Sequence, residues 1–144
     1  LGDRITGSEI MMHGLEPANS GHSIVVIIAT DAPLLPHQLK RIARRSSLGI
    51  GRTGGFGANS SGDLFLAFST ASIGAPSEKG EHQVRMLPNN QVDAFFQATI
   101  QCVEESVINA MVAAKTMVGI NDNTVYELPK VQVLGILEKH RIIE

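Results

Sequence analysis

Residues 24–29 form an unbroken apolar run, Ile-Val-Val-Ile-Ile-Ala, in which five of the six side chains are β-branched. A strand with one face in water alternates polar and apolar residues, so this run predicts an interior strand covered on both faces. The preceding residues 16–22 are polar and rich in turn formers, and Ser23 stands at the junction. The chain therefore passes from a cleavable loop into a rigid strand at Ser23. This serine either simply begins the strand after a turn or is a candidate nucleophile and new N-terminus.

A second apolar run, Leu64 to Phe68, follows the polar residues 60–63 and predicts another buried strand. Ser61 and Asp63 lie two residues apart, so in extended chain their side chains point to the same side. Such a pair is either a local turn network or part of a functional site, and the turn is the commoner role for these residue types. Residues 82–86 predict one further short strand.

Helical patterns occupy much of the remaining chain. Pro36 fits the first turn of a helix that Gly49 ends, because proline lacks only a donor that is unpaired there. Asn90 is the predicted N-cap of the longest helix, which we expect to end at Gly119. Residues 129–138 predict a last amphipathic helix.

Size and charge narrow the class of protein. With 144 residues, 43% of them apolar, the chain suits one globular domain or one subunit of a larger one. Its formal net charge of -2 gives no footprint for nucleic acid, and no apolar stretch approaches the roughly 20 residues of a membrane helix. We therefore expect a soluble protein without nucleic-acid or membrane partners. The local basic cluster, interpreted as a solvated helix face, comprises Lys40, Arg41, Arg44 and Arg45.

The cysteine content bears on the compartment. The single cysteine, Cys102, excludes an internal disulfide framework, is compatible with a reducing compartment, and is interpreted as a packing residue. We expect a cytoplasmic protein. The periplasm is the alternative, because the sequence starts at Leu1 and a targeting segment could precede it.

Two familiar site types are not supported by the motifs. Residues 49–54 match the dinucleotide fingerprint G-x-G-x-x-G, but they follow a predicted helix and lead into a strand, the reverse of what a phosphate site needs. We therefore predict no cofactor and instead expect close backbone packing or approach to a substrate. The histidines show no metal-ligand spacing, so no metal is predicted either. They are His13, His22, His37, His82 and His140.

A serine hydrolase without an evident histidine base needs another proton acceptor. The sequence has no G-x-S-x-G nucleophile elbow, and any Ser-His-Asp triad would be an arbitrary selection. A free α-amine, with an ordinary pKa near 8, can serve at neutral pH. This chemistry requires the serine to be N-terminal.

The stretch SIVVIIATDAPLLPHQLKRIARRSSLGIGRTGG, followed by NSSGDLFLAFSTA, resembles the DmpA family of self-processing N-terminal-serine aminopeptidases, which includes the β-peptidyl aminopeptidases. The likeness extends from about Ser23 to the C-terminus. It implies an α/β fold, a four-layer αββα sandwich of the kind shared with ornithine acetyltransferases. Residues 1–22 would then be the tail of the precursor's α part, and residues 23–144 the catalytic β part of a single domain.

The resemblance also implies a site. The precursor would be cut between His22 and Ser23, and Ser23 would become the nucleophile. An S-G-[DE] motif lies 38 and 40 positions further on, at Ser61 and Asp63. By analogy, Ser61 bonds around the hydroxyl and amine of Ser23, while Asp63 orients that network. His22 departs from the small or amidic residue usual before the cut, so its ring either slows cleavage or helps to move a proton.

The activity that the resemblance implies is removal of N-terminal residues, possibly β- or D-amino acids, from short peptides, amides or esters. The implied partners are the α part of the same precursor, the peptide or amino-acid amide substrate, and further αβ units in a homo-oligomer. One alternative is an ornithine acetyltransferase-like acyltransferase, against which Ser23 speaks because that group uses threonine. The other is a non-catalytic assembly subunit.

Overall fold

A computed structural model of the chain describes residues 23–72 and 79–143. The described residues divide into two compact units, one of residues 23–72 and 79–107 and the other of residues 108–143. The predicted connector, including His22, lies outside the described residues, as does most of the loop predicted after residue 70.

The first unit is built on two parallel strands. β1 (Val25–Thr30) pairs with β2 (Leu64–Ser69), and the register runs from Val25 opposite Leu64 to Thr30 opposite Ser69. Both predicted strands are confirmed. Because parallel strands begin at the same edge of a sheet, the residues that precede β1 and β2 are brought side by side.

Two helices lie between these strands in the sequence. α1 (Pro36–Ala43) has Pro36 in its first turn, as predicted, and buries one side of its surface. Gly49 does not end it: α1 stops at Ala43, and α2 (Ser46–Arg52) runs through Gly49. A Cβ at Gly49 would lie 2.7 Å from the carbonyl oxygen of Ile100, so glycine is needed here for close helix approach and not as a cap.

The core of this unit lies between α1 and one face of the strand pair. Its buried apolar side chains are packed against half-buried ones from both strands and from the third helix. Gln38 is fully buried there and is hydrogen-bonded, since its amide donates to the Leu87 carbonyl at 2.8 Å and to Asn89 at 3.0 Å. The buried apolar members are Leu34, Leu39, Ile42 and Val92.

The opposite face of the strand pair is open among the described residues. Burial alternates along both strands, and Val25 and Ile27 are 64% and 63% exposed. The described elements alone do not cover both faces, so the expectation of strands covered on both sides stays a prediction for the assembled protein. The residues are apolar on both sides, but the described elements cover one side only. We call the open side the exposed apolar face; it comprises Val25, Ile27, Ala29, Leu64, Leu66 and Phe68.

The longest helix, α3 (Asp93–Ala113), starts later and ends earlier than predicted. Asn90 lies in a 3₁₀ turn (Asn89–Gln91), and the helix begins at Asp93, whose carboxylate suits the positive end of the helix dipole. Only the first half of α3 carries buried residues. Cys102 is exposed, so its interpretation as a packing residue is wrong.

The second unit begins within the last turns of α3. β3 (Met117–Val118) and β4 (Thr124–Val125) form a small antiparallel pair, joined through a 3₁₀ turn (Ile120–Asp122). β3 takes the place where the predicted helix would have continued to Gly119. α4 (Lys130–Lys139) lies within one residue of the predicted last helix, and no residue of it is buried.

Two sequence-based expectations concern the remaining segments. Residues 82–86 have no strand, because no described strand pairs with them, so that prediction is wrong. Across residues 23–72 and 79–143, no helix is long and apolar enough to cross a bilayer.

Candidate active site

The parallel pairing determines which residues meet at the N-terminal edge of the sheet. The amide of Leu64 donates to the Ile24 carbonyl at 3.0 Å, which extends the strand ladder back to the residue after Ser23. Residues 23 and 24 therefore lie alongside residues 61–63, although 39 positions separate Ile24 from Asp63 in the sequence. All three predicted site residues within the described chain come together here.

Ser23 stands at the start of β1 with its side chain accessible. Its Oγ accepts a hydrogen bond from the backbone amide of Gly62 at 2.8 Å. A hydroxyl in this position is exposed to solvent and is held by a main-chain donor.

Asp63 is hydrogen-bonded both to the backbone after Ser23 and to the side chain of Ser61. Its Oδ1 accepts from the Ile24 amide at 3.2 Å and from the Ser61 hydroxyl at 2.5 Å. One carboxylate oxygen thus fixes both the backbone immediately after Ser23 and the neighbouring serine. Ser61 and Asp63 are half-buried, in contrast to the exposed Ser23.

The described hydrogen bonds add one contact to the network expected from the resemblance. The direct hydrogen bond to Ser23 Oγ comes from the amide of Gly62, and the hydroxyl of Ser61 is donated to Asp63. Gly62 was not among the predicted site residues. The only signal for it in the sequence is its place between Ser61 and Asp63, because its contribution comes from the backbone.

The other motifs do not form a second site in the described part of the chain. No three histidine, cysteine, aspartate or glutamate side chains gather there as metal ligands. Gly49 and Gly51 of the G-x-G-x-x-G segment lie inside α2, so these glycines do not form the loop between strand and helix that a dinucleotide requires.

Comparison with protein families agrees with this geometry. Residues 3–125 match the model of peptidase family S58. The chain belongs to peptidase family S58. The match covers β1, β2 and all three predicted site residues, and the family predicted from the sequence is confirmed.

A curated relative is 45% identical over 130 residues: the beta-peptidyl aminopeptidase BapA of Sphingosinicella microcystinivorans. The aligned region is 90% of this chain but 32% of that protein. The chain therefore spans about a third of the length of this relative.

Solved structures show the same fold. A beta-aminopeptidase of Burkholderia sp. is 40% identical with a TM-score of 0.78, over 92% of this chain and 38% of that one. The L-aminopeptidase D-Ala-esterase/amidase of Ochrobactrum anthropi is 39% identical with a TM-score of 0.71, over 81% and 33% of the two chains. The latter is described as a new variant among the Ntn hydrolase fold. The predicted α/β fold class is confirmed, and this chain forms a mixed α/β part of it.

Proposed function

We propose that this chain is the nucleophile-bearing part of a self-processing serine aminopeptidase. The observation that supports it best is the exposed Ser23 hydroxyl, held by the Gly62 amide beside the linked pair Ser61 and Asp63. The names of the relatives, which are aminopeptidases, favour the same reaction class. In this proposal residues 1–22 are the tail of an α part, and residues 23–144 are the catalytic β part.

The first reaction is cleavage of the chain itself. Ser23 Oγ attacks the carbonyl carbon of His22, and the Oγ–C bond forms as the C–N bond breaks. The hydroxyl proton passes to the released nitrogen, which leaves an ester and a free α-amine on Ser23. Water then hydrolyses the ester and gives His22 its carboxylate.

Turnover uses the same atoms. The α-amine of Ser23 accepts the hydroxyl proton while Oγ attacks the first peptide or amide carbonyl of the substrate. The proton is passed to the leaving amine, and water releases the acyl group. Ser61 supports proton transfer, and Asp63 positions both Ser61 and the backbone next to the nucleophile.

The described network is suited to survive the cut. Its hydrogen bonds join residues 23 and 24 to residues 61–64, and all of these lie on the C-terminal side of the proposed scissile bond. Cleavage therefore leaves Ser23 attached at Oγ and at the adjacent peptide group. A newly formed terminus would otherwise fray, because chain ends are ordered only where they are tied down.

The proposed substrates are short peptides, amino-acid amides or esters with a free amine, including β- or D-residues. The relatives' β-peptidyl names favour a β-residue. The α part of the same precursor would complete the pocket, and αβ units would assemble into a homo-oligomer in the cytoplasm.

Mass spectrometry of a Ser23→Ala variant of the full-length chain tests the nucleophile. The unchanged protein should give a species that begins at Ser23, whereas the variant should remain one chain. Ser60→Ala, which removes an exposed hydroxyl just outside the network, is the control and should be cut normally. Cleavage of the Ser23→Ala chain at the same bond would assign the cut to an external protease and refute the proposal.

The aminopeptidase assignment has its own assay. Release of a chromogenic amine is compared for an unblocked amino-acid anilide and its N-acetylated counterpart, and only the unblocked one should react. Equal cleavage of both would indicate an amidase. Acetyl transfer to an amino acid in place of hydrolysis would indicate the acyltransferase alternative.

A further inference from the structure

The backbone amide of Gly62 contacts the hydroxyl of Ser23 directly. The amide donates to Oγ at 2.8 Å, while the flanking Ser61 and Asp63 are hydrogen-bonded to each other. The S-G-D segment therefore makes two kinds of contact. Ser61 and Asp63 are hydrogen-bonded through their side chains, and the backbone amide of Gly62 between them donates to Ser23 Oγ.

The conformation of Gly62 does not explain why this position holds glycine. Gly54 and Gly57 have φ values of 98° and 65°, in the left-handed region where a Cβ is disfavoured, and Gly62 is not in that region. Among the described residues, a Cβ on Gly62 would instead come within 4 Å of one atom, Ser23 Oγ, at 3.4 Å. What glycine provides here is open space beside the nucleophile.

Resting on the proposed function, we propose that Gly62 serves Ser23 in two ways. Its amide is the donor that stabilises Oγ whenever that atom carries negative charge. Its missing side chain keeps part of the approach to the same atom free for the reacting carbonyl.

The donor role follows from where charge develops. Oγ becomes partly anionic as its proton leaves during attack, and again as it departs from the acyl ester. A donor already fixed at hydrogen-bond distance stabilises the negative charge on Oγ in both steps, and no group has to reorganise. The backbone on either side of Gly62 is held, because the Ser61 amide donates to the Ala58 carbonyl at 2.8 Å and the Leu64 amide donates to the Ile24 carbonyl at 3.0 Å.

The first test removes the donor and leaves the shape unchanged. Glycolic acid placed at position 62 by stop-codon suppression in the full-length chain replaces the N–H by an ester oxygen. We expect kcat to fall by roughly 10- to 100-fold, the scale of a hydrogen bond to a charged oxygen, with KM nearly constant. Self-cleavage before Ser23 should slow similarly.

A matched control separates this effect from loss of a backbone hydrogen bond in general. Gly119 donates to the Asn123 carbonyl at 2.7 Å, outside the site. Glycolic acid at position 119 removes one bond of the same type. It should leave kcat and processing unchanged, whatever it does to thermal stability.

The second test keeps the donor and fills the space. Gly62→Ala should slow covalent labelling of Ser23 by a sulfonyl fluoride, and Gly62→Val should slow it further. Gly51→Ala is the control, because a Cβ at Gly51 meets nothing within 4 Å. Its labelling rate should match that of the unchanged protein.

The outcomes distinguish this inference from the proposed function. If the unchanged chain is cut, Ser23→Ala is not, and every position-62 variant reacts like the unchanged protein, the role of Gly62 is refuted and the nucleophile stands. If Ser23→Ala is still cut at the same bond, the proposed function fails and this inference falls with it. Loss of kcat at position 62 but not at 119, together with slowed labelling at 62 but not at 51, supports both roles.

Discussion

At the scale of single residues, one carboxylate oxygen holds the candidate site together. Asp63 Oδ1 accepts from the backbone after Ser23 and from the Ser61 hydroxyl. A charged acceptor shared in this way is stronger than a neutral one. Asp63 therefore orients the backbone that follows Ser23 and the neighbouring Ser61 hydroxyl.

Replacing Asp63 by asparagine tests this role. The amide oxygen can still accept from Ile24, but the negative charge is lost, so the fold should survive while turnover falls. We expect a loss of roughly 10²- to 10⁴-fold, the range for disturbed proton transfer. Steady-state kinetics measure the loss of turnover, and a thermal melt shows whether the fold survives. Asp31 is an exposed carboxylate beyond the other end of β1, so Asp31→Asn should leave turnover unchanged.

Ser61→Ala is expected to behave similarly. Removal of the hydroxyl takes away proton-transfer assistance and should lower turnover by roughly 10²- to 10⁴-fold with little loss of folded protein. A pure turn role gives the reverse pattern, with stability lower by about 1 kcal/mol and activity per folded molecule intact. Ser47→Ala is the control, because it removes a local hydrogen bond from an exposed hydroxyl to the Arg44 carbonyl at 2.9 Å. It measures how much stability is lost when such a bond is removed outside the site.

The sequence predicted the side chains of this site better than its backbone. Ser61 and Asp63 could be placed on one side from their spacing, and parallel pairing explains why they meet Ser23. Gly62 could not be identified, because a backbone donor leaves no mark on the residue type. The interpretation of Cys102 as a packing residue was also wrong, because Cys102 is exposed although its neighbour Val103 is buried.

At the scale of elements, the contact between α2 and α3 depends on one glycine. Gly49 is buried, and its Cα faces the Ile100 carbonyl and the Val103 side chain. Close packing at such a point lets two helix backbones approach, which a methyl group would prevent.

We therefore expect Gly49→Ala to destabilise the protein. The new Cβ would lie 2.7 Å from the Ile100 oxygen, a distance that forces the helices apart, and overpacking of this kind costs about 1–3 kcal/mol. Urea unfolding of the full-length protein measures it. Gly51→Ala, in the same helix with open space around it, should be neutral or stabilising by about 0.5–1 kcal/mol. Equal effects at both positions would refute the packing role.

The two long strands were easier to predict than helix ends, although the strand predicted at residues 82–86 is wrong and β3 and β4 were not predicted. Each apolar run gave its strand to within a residue or two, because nothing else in the chain shares that pattern. Helix ends were wrong at three positions: Gly49 lies inside α2, Asn90 lies in a 3₁₀ turn, and Gly119 follows β3. The role of Gly49 depends on Ile100, which is far away in sequence.

At the scale of the whole molecule, the exposed apolar face is a surface that the described elements leave uncovered. Ile27 and Leu66 are 63% and 56% exposed on adjacent strands. A continuous apolar sheet surface of this kind is normally covered. The chain spans about a third of its curated relatives, so the proposed α part has ample length to cover it.

We expect residues 23–144 alone to aggregate or to remain loosely packed and to hydrolyse no amino-acid amide. Co-expression with the α part should restore compactness and aminopeptidase activity, because the apolar face is then buried. Size-exclusion chromatography and the anilide assay measure the two properties. A monodisperse, active 23–144 protein would show that the α part is dispensable.

The parallel register also sets the order of events during synthesis. Ser23 receives the Gly62 amide only after β1 and β2 have paired, and parallel strands need the intervening crossover to be made and folded first. Under the proposed mechanism, we therefore expect the peptide bond before Ser23 to stay uncut during translation, until the two strands have paired. A cleaved precursor is then evidence that its sheet has formed.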